Sequence, residues 1–168
     1  MILGRTCAAK IENGIDPFAG IARLCSTLRR SRPQIWNVRF RILVTPRHRY
    51  AFRAPARSAQ LLRHAGFHAM GLTNNHALDF GATALHDCAA RLALENIEAI
   101  GVEKEGSEAC APGFFSLHDV KKIALLAISA IDASCEIATA SDRAGLSATI
   151  ANARSEAKFV ACLVHWGI

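Results

Sequence analysis

Between Pro17 and Leu78 the sequence contains no aspartate and no glutamate, although 14 acidic residues are spread over its 168 positions. Composition alone leaves a window of that length without acid roughly once in two hundred cases, so the gap needs a cause. Long apolar runs are also missing. The longest, Ile123–Ile131, is strand-sized, well short of the ~18–20 residues that cross a bilayer. The amino-terminal MILGRTCAAKIENG is too mixed, and its apolar part too short, for a secretory signal. No Gly-Xaa-Ser-Xaa-Gly elbow occurs, which leaves a serine hydrolase unsupported. Six cysteines stand at 7, 25, 88, 110, 135 and 162, and no two form a Cys-Xaa-Xaa-Cys pair. In an apolar, unexported chain such scattered cysteines read as small buried hydrophobes with free thiols. Neither repeats nor low-complexity tracts occur, and 51% apolar with 20% charged residues excludes disorder, collagen and coiled coil.

What is present falls into two regimes. The acid-free stretch 17–78 carries 11 arginines, at 23, 29, 30, 32, 39, 41, 47, 49, 53, 57 and 63, whereas residues 79–168 hold 12 acids against 7 bases. Asp16-Pro17 reads as a helix cap and first turn, and Phe18, Ile21, Ala22, Cys25 and Leu28 then predict a helix near 17–29. The Arg-rich run that follows alternates Trp36, Val38, Phe40, Ile42 and Val44 with polar residues, which permits a strand. Pro55 opens a second helix that stops at Gly66. From Phe67 the pattern is regular. Strand 67–72, loop 73–81, helix 82–95 and strand 97–101 make a strand–helix–strand unit with parallel strands and a right-handed crossover. A hairpin of 113–117 and 122–130 turns at His118-Asp119. Helix 143–157 and a third buried strand, 159–164, complete the reading. The ordered core is expected in 66–131 and irregular packing in 30–48.

Asn74, Asn75 and His76 follow one strand and His165 follows another. If both strands are parallel members of one sheet, these residues share its carboxyl edge, where open α/β sheets bind ligands. Asn and His suit first-row divalent metals. The plain alternative is turn chemistry, since Asn favours left-handed turns. Asp79 stands near enough in sequence to orient His76 from behind, or to serve as a helix-start acid. Other candidates are weaker. Gly101–Ser107 lacks the lysine of a phosphate loop, and Glu103, Glu105 and Glu108 would repel phosphate. His64 and His68 are separated by Gly66, which breaks a shared helical face. His86 has no ligand partner one turn on, and His118 belongs to a turn. Arginines interleaved with Trp36, Phe40, Tyr50 and Phe52 suit polyanion contact, but no nucleic-acid-binding signature accompanies them, so specific nucleic-acid recognition is not expected.

GFHAMGLTNNHALDFG, the helix after it, NIEAIG and the strand ending in VHWG resemble the CapA family. These are bacterial capsule and poly-γ-glutamate synthesis proteins with a calcineurin-like metallophosphoesterase fold. MILGR, DPFAGI and YAFRAP are similar to its early segments, so the resemblance covers most of 1–24 and 49–168. It implies that Asn75 and His165 are metal ligands, that His76 is the catalytic histidine assisting phosphate chemistry, and that Asn74 and Asp79 support them. It implies a divalent metal, manganese or similar, and a phosphoester or polyanionic polymer as partner. The family pattern also includes a Gly-Asp ahead of the MILGR-like segment, an Asn-Leu-Glu motif where this chain is Arg-rich, and a later Gly-His-Xaa-His. None of these occurs here. The expectation is one partial, truncated domain over 1–168, with 25–48 an aberrant segment left in a GC-rich gene by two compensating frameshifts or by damage to that one segment.

The fold class expected is therefore α/β, part of a calcineurin-like layered sandwich. The function expected is that of a CapA-like phosphoesterase homologue concerned with a cell-surface polyanion. The alternatives are an inactive remnant of that family, with metal binding weak or lost, and a basic polyanion-binding module. As written the sequence predicts a cytoplasmic chain, any export signal lying upstream of Met1. All six thiols should react with a thiol reagent after unfolding without reductant. A disulfide found by non-reducing mass spectrometry of the isolated protein would contradict this.

Overall fold

A computed structural model describes residues 6–20, 34–36, 54–104, 108–117, 120–131 and 136–166. The helix expected over 17–29 lies outside these beyond Gly20, as do the His118-Asp119 turn and all of 25–48 except Gln34–Trp36. The chain is mixed α/β, as the sequence pattern required. It divides into two compact units, Met1–Met70 with His76–Ala99, and Gly71–Asn75 with Ile100–Ile168.

The first unit opens with a helix that the sequence reading missed, α1 (Thr6–Glu12). Its end is written in Asn13-Gly14. The Ile15 N–H reaches the Lys10 carbonyl and the Gly14 N–H that of Ile11, both at 3.0 Å, while Gly14 turns left-handed at φ +86°. Only glycine takes that conformation without a Cβ penalty. Asp16 then caps the next turn, its Oδ1 accepting the Phe18 N–H at 2.8 Å. Strand β1 (Gln34–Trp36) pairs in parallel with β2 (Phe67–Gly71), and the sheet order is completed by β3 (Glu98–Ile100) beyond β2. Helix α2 (Ser58–His64) precedes β2 and ends at left-handed Gly66. Helix α3 (Gly81–Leu94) joins β2 to β3 and buries Ala84, Leu85, Cys88 and Leu92 on one stripe. Phe18 meets Phe67 edge to face, ring centroids 5.8 Å apart, and both are fully buried with Ile11, Leu62, Met70, Leu92 and Ile97.

The return from α3 to β3 uses asparagine where glycine is commoner. Asn96 sits at φ +55°, the Ile97 N–H bonds the Leu92 carbonyl and the Asn96 N–H that of Ala93, both at 2.9 Å. This doubly bonded helix end buries Ile97 and Leu92 completely, the apolar closure that such ends commonly carry.

The second unit is built on an antiparallel hairpin, β4 (Gly113–Leu117) with β5 (Val120–Ser129), and on β6 (Phe159–His165), parallel to β5. Helix α4 (Arg143–Glu156) connects β5 to β6. Asp142 caps it, Oδ1 accepting the Gly145 N–H at 3.0 Å. The contact between helix and sheet is small-residue packing, with Ala153 and Ala157 against Ala124, flanked by Phe114 and Val160.

Two expectations need correction. Strand β6 is not buried. Phe159 is 53% exposed, and Ala161, Cys162, Leu163 and Val164 are also open to solvent. An apolar run reads as a strand covered on both faces, but among the described residues β6 is paired only with β5 in its sheet. The cysteines are not uniformly core residues either. Cys88 is buried, Cys110 half-buried and Cys162 exposed, all as free thiols. Partial desolvation raises the Cys162 pKa.

Replacing Asn96 by alanine should cost roughly 1 kcal/mol, because a Cβ without a hydrogen-bonding side chain is strained in the left-handed region. Replacement by glycine should be neutral or stabilising. Urea unfolding of both variants checks this, and equal midpoints for Ala and Gly would refute it.

Candidate functional site

Within the second unit, the chain leaving β2 stays tied to the chain leaving β3. The Leu72 N–H donates to the Ile100 carbonyl at 2.9 Å. Gly101 follows at φ +85°, so close to its neighbours that a Cβ would collide with Thr73 Cγ2 and come within 2.6 Å of the Ala127 carbonyl oxygen. The Gly101 carbonyl accepts the Ala138 N–H, and the Ala138 carbonyl accepts the Ser129 N–H, both at 2.9 Å. One residue on, the Ala130 N–H donates to the His165 carbonyl at 2.9 Å. A backbone lace therefore runs from the start of the Asn-Asn-His loop to the end of β6.

That lace brings Asn75 and His165 together across 90 residues of sequence. The Asn75 Oδ1 accepts a hydrogen bond from His165 Nε2 at 3.2 Å. An amide oxygen only accepts, so Nε2 carries the hydrogen. Asn75 is exposed and His165 half-buried, while Thr73 and Asn74, just upstream, are buried.

In the first unit, His76 Nδ1 lies 3.1 Å from Asp79 Oδ1. The turn that sets this spacing is local, the Asp79 N–H reaching the His76 carbonyl at 3.2 Å and the Gly81 N–H that of Leu78 at 2.9 Å. Asp79 is 2% exposed. A carboxylate only accepts, so it holds the hydrogen on Nδ1. Asp79 thus stands behind His76 by hydrogen bond, and Asn74 lies beneath the loop as a buried residue.

The remaining histidines stay apart from these pairs. His64, His68 and His86 are all exposed, on α2, β2 and α3 respectively. Among the described residues no group of three or more His, Cys, Asp or Glu is placed to hold a metal ion. An open cavity of about 320 Å³ in the second unit is lined by Glu108, Cys110, Phe114, Thr149, Asn152 and Glu156, and includes none of the candidates.

Sequence reasoning missed the residues that do the positioning, namely Gly101, Ala127, Ser129 and Ala138. Gly101 ends a strand and is followed by polar residues, so it reads as an ordinary turn. The segment around Ala138 shows no periodicity at all, because it contributes only isolated bridges, Val102 to Ile137 and Ser129 to Thr139.

Comparison with curated proteins yields no match. The family described as bacterial capsule synthesis protein PGA_cap matches residues 2–168, the whole length over which the loop, the lace and the HWG strand are found, and this chain belongs to that family.

Proposed function

We propose that this chain is a phosphoesterase-like member of the capsule synthesis family that handles a cell-surface polyanion of the poly-γ-glutamate type. In this reading Asn75 and His165 hold a divalent ion and His76, oriented by Asp79, provides the proton-transferring nitrogen. The observation that carries it is the 3.2 Å approach of Asn75 Oδ1 to His165 Nε2. Two adjacent ligands with bonds of ~2.0–2.2 Å to one ion stand about 3 Å apart, so the pair has the spacing of neighbouring positions around a single cation. An ion taken there displaces the shared hydrogen to the other ring nitrogen of His165.

The donor set also sets a limit. Both ligands are neutral, and a dication taken from water needs compensating charge. A two-ion centre needs a bridging carboxylate as well, to offset repulsion between ions ~3.5–4 Å apart. Asp79 is engaged with His76, and no other carboxylate precedes it after Asp16. The residues present fit one weakly held ion and do not fit a pair, so no hydrolytic step is derived. An ion in this position supplies polarisation of a phosphoryl oxygen when bound. The 11 arginines of 17–78 suit an acidic polymer on charge.

Calorimetric titration with manganese should show at most one ion, bound more weakly than about 0.1 mM, and lost in Asn75→Ala and His165→Ala. A generic phosphoester should turn over at background rate. Submicromolar binding of two ions, with turnover abolished by His76→Ala, would overturn the limit. Poly-γ-glutamate should bind at low salt and dissociate as salt rises. Failure to bind at low salt would remove the polymer assignment.

A further inference from the structure

Of the asparagines in the chain, Asn13 alone is followed by glycine; the others precede Val38, Asn75, His76, Ile97 and Ala153, each of which carries a Cβ. The difference is chemical. A main-chain nitrogen can attack the carboxamide carbon of the residue before it, and a Cβ on the attacking residue crowds that approach. Asn13 and Gly14 are both exposed, and nothing lies within 4 Å of where a Gly14 Cβ would stand. The helix that holds the pair is slight. α1 has seven residues, and helices so short are marginal in water unless packing holds them. In its last turn Ile11 is buried, while Ala9, Lys10 and Glu12 are exposed.

We infer that Asn13 is a site of spontaneous modification, at which the chain converts to aspartate and isoaspartate through a cyclic imide. In the folded helix end the Gly14 N–H is tied to the Ile11 carbonyl and the Asn13 N–H to that of Ala9, both at 3.0 Å. The Gly14 nitrogen can attack only when the first of these bonds opens, so the rate follows the fraying of α1. That nitrogen then loses its proton and bonds the Asn13 Cγ. The Cγ–Nδ2 bond breaks, and Nδ2 leaves as ammonia. Solvent water opens the ring. Attack at Cγ leaves an ordinary aspartate. Attack at the main-chain carbonyl carbon leaves isoaspartate, with the main chain now running through Cβ and Cγ. A water is taken up and an ammonia released, with no change of oxidation state.

Either product works against the helix end that formed it. The new carboxylate lies at the carboxyl-terminal end of α1, where unpaired carbonyls already carry partial negative charge, and it follows Glu12 directly. Isoaspartate also lengthens the main chain between Glu12 and Gly14. The left-handed turn at Gly14, φ +86°, and the 3.0 Å bond from the Ile15 N–H to the Lys10 carbonyl depend on that spacing. The conversion therefore holds open the helix end whose opening allowed it.

The full chain is incubated for days in mildly alkaline buffer and followed by peptide mapping and by methyl transfer to isoaspartate. Conversion should appear at Asn13 ahead of every other asparagine. Gly14→Ala should slow it at least about tenfold, although alanine strains the left-handed turn and loosens the helix end. Slowing in spite of loosening identifies attack by the residue-14 nitrogen rather than opening alone. Asn13→Gln, whose longer side chain requires a larger ring, should remove the methyl-accepting site. In the converted protein the Gly14 and Ile15 amides should exchange faster than in the fresh one. An unconverted Asn13 overturns the proposal. So does conversion of Asn75 or Asn96 at an equal rate, a rate that Gly14→Ala leaves unchanged, or amide exchange that conversion does not alter. If Gly14→Ala fails to fold, Asn13→Gln and the order of conversion among the asparagines decide.

Discussion

At Gly101 one backbone passes against another with no room for a side chain. The residue sits at φ +85°, and a Cβ there would strike Thr73 and press on the Ala127 carbonyl. What the missing atom permits is the hydrogen-bonded lace from Leu72 and Ile100 through Gly101 to Ala138, Ser129, Ala130 and His165. Small residues recur along it, Ala127 and Ala138 both being buried. Each close approach lets a carbonyl find its N–H without water between, which buried backbone requires. The Asn75–His165 contact is the side-chain consequence of that backbone arrangement.

Helix ends serve the same purpose in the first unit. Gly14, Gly66 and Asn96 are the left-handed residues after α1, α2 and α3. Each stands two residues past the end of its helix and turns the chain sharply back. Asn96 does so just before β3, where its N–H bonds the Ala93 carbonyl and the Ile97 N–H that of Leu92, leaving no slack between helix and strand. Alanine does comparable work in the second unit, where Ala153 and Ala157 let α4 lie close upon Ala124. The strands are thus placed by stops and close approaches more than by bulky side chains.

The chemistry of the two side-chain pairs is unequal. His76 faces a buried carboxylate, which orients the ring. His165 faces a neutral amide, which orients the ring. Both pairs lie within the residues that match the capsule synthesis family. Along the sequence, 11 arginines fall between Pro17 and Leu78, and 12 of the 14 acids follow Leu78.

Local signals carried much of this in the sequence alone. Helices α2, α3 and α4, strands β2 to β5 and the Asn-Asn-His loop were legible because periodicity, caps and glycine stops act within a few residues. The family was legible because NNHALDFG and HWG are short and contiguous. Helix α1 was overlooked, though Asn13-Gly14 marks its end, because its apolar stripe is one buried residue wide, Ile11. Tertiary structure alone decided the rest. The 90-residue span from Asn75 to His165 closes only when β5 and β6 pair, and sequence spacing carries no information on that register. The exposure of β6 was invisible for a related reason. An apolar strand looks the same in a sheet's middle as at its edge, and only the count of neighbours distinguishes them. Gly101 was legible as a glycine, but not as the point where three segments meet, since that depends on what the fold brings against it.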